Sequence, residues 1–172
     1  MAIRSVALAG MVADTSLYNI DGACVVGGTA DTRIPVGTVV RVSELPLIDG
    51  HKVVINTGIT ADTFPYGVVV RSHYETPDGQ ARGLEAVNVM TAGRIWVRAS
   101  AAPPEGAKVG DPVTVNANGV VSLVAAGASN FATGWTFAGG YVANYAGAGT
   151  STPIKQGESV DGALIEVQVK QK

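Results

Sequence analysis

Apolar and polar side chains alternate on both sides of Gly93, and this alternation limits the folds open to the chain more than any other feature. In the runs 86–90 and 94–98, apolar residues recur at every second position, which is the period of a half-buried β-strand. The residues between the runs end in Gly93, and glycine readily adopts the positive φ that a tight connection needs. Residues 83–98 are therefore predicted to form an antiparallel hairpin.

The same spacing returns further along the chain. Residues 113–115 alternate, Asn118-Gly119 follows, and residues 120–123 alternate again. The Asn-Gly dipeptide is among the strongest short hairpin signals. A partial copy of the pattern begins at residue 37. These copies are predicted to be recurring hairpins of one β domain. They do not predict a solenoid, because a solenoid needs three or more regular units and the chain has two copies and a fragment.

The remaining segments also indicate strands. Residues 67–71 are apolar on both faces and are predicted to be central, while 164–170 alternate as a closing strand. Trp135 and Phe137 fall on one face of a further strand. No segment has ten residues of helical period, although a short helix within 125–132 stays open. The fold predicted is all-β: a small β-barrel or sandwich, jelly-roll or β-tulip-like, built of short antiparallel strands and hairpins.

The domain organisation predicted is simple. At 172 residues the chain is long enough for one sizeable core, and the Pro-containing stretch 101–106 is expected to be a loop because the strand pattern resumes at once. Residues 13–172 are therefore expected to form a single β domain. Residues 1–12 are either an ordinary first strand or an extended N-terminal arm that pairs with a partner's sheet edge. The apolar residues of that arm are Ile3, Val6 and Leu8.

Composition limits the environment and the partners. Hydrophobic residues make up 47% of the chain and charged residues 15%. This charged fraction is low for a freely soluble monomer and is typical of a chain that buries additional surface in an assembly. The net charge of −2 argues against a nucleic-acid partner. No apolar run is long enough to span a membrane, and the N-terminal stretch is a poor signal peptide. With Cys24 as the single cysteine, we expect synthesis in a reducing cytoplasm and no disulfide.

Groups for catalysis are scarce. His51 and His73 are the only histidines, and the motifs of hydrolases, nucleotide-binding enzymes and zinc sites are absent. Cys24 lies in an apolar run without basic neighbours that would favour a thiolate. Asp14 and Asp21 lack the spacing of a calcium loop. We therefore expect no enzymatic activity, no cofactor and no metal site.

Two groups of side chains are candidates for protein contacts, and each has a structural alternative. Arg94, Trp96 and Arg98 share one strand face; they form either an interface stripe or a lid in which Trp96 covers a second buried layer. Tyr141 and Tyr145, in the glycine-rich region 139–152, belong either to a flexible loop or to a second contact surface. In the polar segment 14–31, three residues are expected to act as anchors: Leu17, Tyr18 and Ile20.

Six segments carry a resemblance to a known family. They are Leu17-Tyr18-Asn19-Ile20-Asp21-Gly22-Ala23, Asp49-Gly50-His51-Lys52, Tyr66-Gly67-Val68-Val69-Val70-Arg71-Ser72-His73, Val87-Asn88-Val89-Met90-Thr91-Ala92-Gly93-Arg94-Ile95-Trp96-Val97, Thr133-Gly134-Trp135 and Leu164-Ile165-Glu166-Val167-Gln168-Val169. With these segments, which extend over most of the chain, the sequence resembles the structural cement, or capsid decoration, proteins of tailed bacteriophages.

The resemblance implies a virion component without catalysis or cofactor, made in the host cytoplasm. It implies a homodimer or homotrimer on the outer surface of the mature head, where it would bridge subunits of the major capsid protein and oppose the pressure of packaged DNA. Repeated weak contacts would supply the avidity. The alternative is a β-rich tail or fibre module that binds a host surface glycan, which the aromatic region 139–152 motivates.

Overall fold

The computed structural model describes residues 7–43, 50–72, 79–143 and 162–170. These residues form eleven strands and no helix, so the all-β prediction is confirmed and the possible helix within 125–132 is not formed. The strands are β1 (Val12–Val26), β2 (Arg33–Pro35), β3 (Val39–Val42), β4 (Lys52–Ile55), β5 (Gly67–Val69), β6 (Gln80–Arg82), β7 (Ala86–Ala99), β8 (Pro112–Asn116), β9 (Val121–Ser122), β10 (Asn130–Ala143) and β11 (Ala163–Val169).

The main sheet closes on itself twice. One ring runs β1-β4-β3-β5-β7 and closes through a β1–β7 pairing; the other runs β7-β11-β10-β8-β9 and closes through β7–β9. The two five-stranded rings therefore share β7. Strands β2 and β6 form a separate two-stranded sheet. The result is barrel-like, as predicted, but it differs in two respects: β1, β7 and β10 are long, and the β1–β4 and β7–β9 pairs are parallel. Closure of a sheet removes edges that would otherwise be exposed.

The hairpin predicted over residues 83–98 is wrong, because β7 passes straight through this region as one strand. Val87 and Val89 face one buried cluster, whereas Ile95 and Val97 face the other. The alternation is thus reversed between the two runs, and Gly93, with φ of +116°, lies within the reversal. A glycine with positive φ is the usual way to change which face of a strand is buried.

Two hydrophobic cores result. The first core consists of Val39, Ile59, Val68, Val70, Met90, Ile95, Val97, Ala99, Val113, Val115, Val121, Trp135, Phe137, Ala163, Ile165, Val167 and Val169. The second core consists of Ala9, Cys24, Val26, Ile34, Val36, Val40, Val54, Val69, Ala81, Val87, Val89 and Leu164. Strands β3, β5, β7 and β11 contribute to both cores, and β5, which is buried throughout, is apolar on both of its faces.

Several strand predictions are confirmed. β8 and β9 form an antiparallel hairpin around Asn118-Gly119. β5 lies between β3 and β7, as expected of a central strand, and β11 buries alternate residues. Trp135 and Phe137 are both buried in the first core.

The start of the chain packs against the body of the domain. Residues 1–6, including Ile3 and Val6, lie outside the described ranges. Ala9 is buried in the second core, and the Gly10 amide donates a 2.8 Å hydrogen bond to the Trp96 carbonyl. The Arg71 amide donates a bond of the same length to the Gly10 carbonyl. The described residues before β1 are therefore part of the fold and do not form a strand of their own.

Candidate interaction surface

Strand β1 contains a bulge. Asp14 lies opposite Arg94 of β7, and Asn19 lies opposite Ala92, so residues 15–18 have only Gly93 opposite them. We call residues 15–18 the β1 bulge. All four are exposed, and the bulge presents a leucine and a tyrosine to solvent: 86% of Leu17 and 51% of Tyr18 are exposed.

Gly93 allows the bulge to lie close against β7. A Cβ atom at Gly93 would be 2.7 Å from the Tyr18 Cβ and 3.1 Å from the Leu17 carbonyl oxygen. Such contacts are too short for any side chain, so the identity of residue 93 and the position of the bulge are linked.

A cavity of about 470 Å³ lies beside the bulge. It is open to solvent and lies between β1, the centre of β7 and the end of β11. Its lining residues are Asp14, Ser16, Leu17, Tyr18, Asn19, Ala92, Gly93, Arg94, Gln168 and Lys170. The projection and the cavity therefore lie on one face, which we call the bulge face.

Charges of both signs surround this cavity. Arg94 bridges two carboxylates from neighbouring strands, at 3.2 Å from Asp14 and 3.8 Å from Glu166. The pKa of Asp14 is lowered, first by the hydrogen bond from the Ser16 amide and, more weakly, by the Arg94 charge. The Lys170 ammonium lies 4.5 Å from the centre of the exposed Phe64 ring, a cation–π contact. The bulge face is thus apolar at its projection and charged at its rim.

A second polar cluster joins β1 to β4. The Lys52 ammonium donates a 2.8 Å hydrogen bond to the Asp21 carboxylate, and the Tyr66 hydroxyl donates to the same oxygen. These hydrogen bonds, that of Lys52 first, lower the pKa of Asp21 to about 2. The cluster thus supplies hydrogen-bond partners to a half-buried carboxylate where β1 meets β4.

The structure separates the residues predicted to make contacts. Tyr141 is 57% exposed on β10, and Leu8 is half-buried. Tyr145, like Ile3 and Val6, lies outside the described ranges, so their contact role stays a prediction. Arg94 lies on the bulge face.

Trp96 and Arg98 are less accessible than Arg94. Trp96 is half-buried and packs against the second core, which agrees with the interpretation that it covers a second buried layer. Arg98 is 6% exposed, and its Nε donates a 2.8 Å hydrogen bond to the Val36 carbonyl. The three side chains therefore do not form a continuous exposed stripe.

Leu17 and Tyr18 are the residues whose exposure the sequence did not reveal. They were expected to be anchors, but they are exposed. Their apolar character within a polar segment was the available signal, since a leucine among Asp, Thr, Ser and Asn serves either a core or a contact. The choice between the two depends on the register of β1 against β7, which the sequence does not show.

The residues considered for catalysis have different surroundings. Burial, aided by the charge of Asp21, raises the pKa of the Cys24 thiol to about 12, which keeps it unreactive. His51 is exposed, and His73 lies outside the described ranges. No group of three His, Cys, Asp or Glu side chains in the described residues is arranged to hold a metal ion. The described part of the chain also lacks a helix that could cross a membrane.

The family model described as "Structural cement protein (E217 gp24/Pam3 gp6)" matches residues 2–170. The chain belongs to the phage structural cement protein family. It is accordingly a capsid-stabilising structural protein of the virion that associates with capsid proteins, and the tail-module alternative is not favoured.

The fold of this cement protein is similar to that of a chain in the solved structure "The capsid of Myoviridae Phage XM1". The match has a TM-score of 0.61 and 16% sequence identity, and it covers 99% of this chain and 95% of that chain. At this identity the likeness shows a common fold. No curated protein matches the sequence.

Proposed function

We propose that this cement protein binds the outer surface of the mature head as a homodimer or homotrimer and bridges subunits of the major capsid protein. The observation that carries the proposal is the family match over residues 2–170. On this proposal the chain is made in the host cytoplasm, uses no cofactor, catalyses nothing and binds neither nucleic acid nor membrane.

The architecture supports a bridging role on mechanical grounds. Two closed rings share one long strand, and both cores are packed with branched aliphatic side chains. A closed sheet around a close-packed core has low compressibility and transmits strain, so the body is suited to transmit force between the proteins on either side. Bridging also multiplies weak contacts, since each oligomer would engage several capsid subunits at once.

The electrostatics of the chain support a protein partner. The net charge is −2, and Arg94 and Lys52 are each paired with carboxylates. A polyanion such as DNA would need a surface of unpaired cations. A capsid surface formed by protein needs no such charge.

The test is to add the purified chain to heads that lack it. We expect co-sedimentation with the heads and, in an electron microscopy map, density on the outside of the shell between neighbouring capsid subunits. Density inside the shell, or no binding by folded protein, would contradict the proposal.

We also propose that the N-terminal arm takes part in this contact. Ala9 is buried in the second core, so a deletion through Ala9 would damage the fold. Removal of residues 2–6 is the cleaner variant, and we expect it to weaken binding to heads while leaving the circular dichroism spectrum unchanged. Unchanged binding would remove the arm from the proposal.

A further inference from the structure

We propose that the bulge face is the contact between two copies of this chain, related by a two-fold axis. This inference rests on the proposed function in one respect, namely that the chain acts as an oligomer. It goes further in naming the surface, the partner and the symmetry.

The bulge face carries a projection next to a cavity. Leu17 is 86% exposed and belongs to neither core, although leaving a leucine side chain in water is unfavourable. The adjacent cavity of about 470 Å³ is many times the roughly 30 Å³ that one water molecule takes up in the liquid. An apolar side chain from a second molecule can therefore enter it.

The arrangement favours a two-fold axis. In an isologous contact both molecules use the same surface, so that surface must hold both the projecting part and the part that receives it. The β1 bulge and its cavity meet this condition, since Leu17 and Tyr18 both belong to the bulge and line the cavity. A ring or filament would place projection and cavity on different faces.

The bulge face carries charges of both signs, so two copies of it can be electrostatically complementary. Asp14 and Lys170 line the same cavity with opposite sign, and Arg94 is held between Asp14 and Glu166. A two-fold axis can pair an acidic group of one copy with a basic group of the other, whereas a partner of a single sign would meet repulsion from the groups of like charge.

The bulge is held in shape before any partner arrives. At its base, the Ser16 amide donates a 2.8 Å hydrogen bond to the Asp14 carboxylate, and the Asn19 side-chain amide donates one of 2.8 Å to the Thr91 hydroxyl. A preformed projection loses little conformational entropy on association, which favours a stable contact.

The test compares the masses in solution of the full chain and two variants, by analytical ultracentrifugation. Leu17→Asp places a charge on the projection. Val124→Asp is the matched control, because Val124 is 61% exposed and does not line the cavity. We expect the wild type and the control to sediment at twice the mass of one chain. We expect Leu17→Asp to dissociate, with a dissociation constant raised at least about tenfold and an unchanged circular dichroism spectrum.

Other results would overturn the inference. These are a monomeric or trimeric wild type, or a Leu17→Asp variant that stays dimeric; if that dimer no longer bound heads, the face would instead contact the capsid. A wild-type dimer that Leu17→Asp dissociates but that does not bind heads would uphold the inference and contradict the proposed function. The two failures are therefore distinguishable.

Discussion

Gly93 influences the backbone conformation of β7, the core that each half of β7 faces, and the position of the β1 bulge. Its φ of +116° lies in the reversal of β7, and its missing side chain leaves room for Tyr18. We expect Gly93→Ala to lower the free energy of unfolding by roughly 1–3 kcal/mol, because an L-residue is strained at this φ and its Cβ would also collide with the bulge. Urea unfolding at neutral pH measures the loss.

A second glycine separates the two causes. Gly110 has φ of +96°, and a Cβ there would have no atom within 4 Å. Gly110→Ala therefore reports backbone strain alone. If it costs as much as Gly93→Ala, the close approach of the β1 bulge to β7 contributes nothing.

Asp21 makes stability depend on pH in the acid range. Its pKa is about 2 in the folded chain, against about 3.9 when unfolded. A carboxyl whose folded pKa is lowered stabilises the protein above its unfolded pKa, and that contribution is lost as the pH falls from about 5 towards 2. Because Lys52 is 44% exposed, we expect the contribution to be about 1–2 kcal/mol, less than the full shift implies.

Asp21→Asn tests this assignment. The variant should be less stable than the wild type at pH 7, and the difference should shrink as the pH approaches 2. Urea unfolding at pH 7, 4 and 2.5 measures both chains. A stability difference that is the same at all three values would contradict the role given to the Asp21 charge.

The alternating segments 83–98 and 113–123 have similar sequence patterns, but only the second forms a hairpin. The β8–β9 hairpin formed as predicted because its turn is stabilised locally: the Asn116 side-chain oxygen accepts hydrogen bonds from the amides of Asn118, at 2.9 Å, and Val120, at 3.0 Å. Residues 91–93 lack such a device. There, β11 pairs continuously with residues 93–99 of β7, which holds the strand extended. The Asn-Gly turn could be predicted from neighbouring residues, whereas the pairing of β7 with β11, some 70 residues away, could not.

The same limit applies to the bulge face. The strands and most buried positions follow from alternation, but the β1 bulge exists because β1 and β7 advance unequally between two paired positions. A shift in register is a property of two paired strands, and the sequence of either strand alone does not predict it. Leu17 and Tyr18 were therefore visible as unusual residues but not as a surface.

Asn116 is expected to stabilise the turn between β8 and β9. Asn116→Ala removes the acceptor for two backbone amides of the turn, and we expect it to cost about 1–2 kcal/mol of unfolding free energy. The turn also joins the two rings, since the Val39 amide donates a 2.9 Å hydrogen bond to the Gly119 carbonyl. Asn116→Asp keeps the acceptor oxygen and should retain most of the stability. Equal losses in the two variants, measured by thermal unfolding, would show that these hydrogen bonds are not the cause.

For the whole molecule, the shared strand predicts a single cooperative unit. β7 supplies residues to both cores, so neither ring can open without breaking contacts of the other. The two tryptophans report the cores separately: Trp135 lies in the first core and Trp96 packs against the second. In Trp96→Phe and Trp135→Phe, the fluorescence of the remaining tryptophan should follow the far-ultraviolet circular dichroism with one midpoint in urea. Separate midpoints within either variant would show that the two cores unfold independently.

As a structural cement protein, this β body stabilises the head. A protein that binds the intact shell and not its separated subunits stabilises the shell by mass action. The direct measurement is the temperature at which DNA-filled heads release their DNA, with and without saturating cement protein. We expect a higher release temperature for the decorated heads. An unchanged temperature at full occupancy, verified by the protein content of the purified heads, would contradict it.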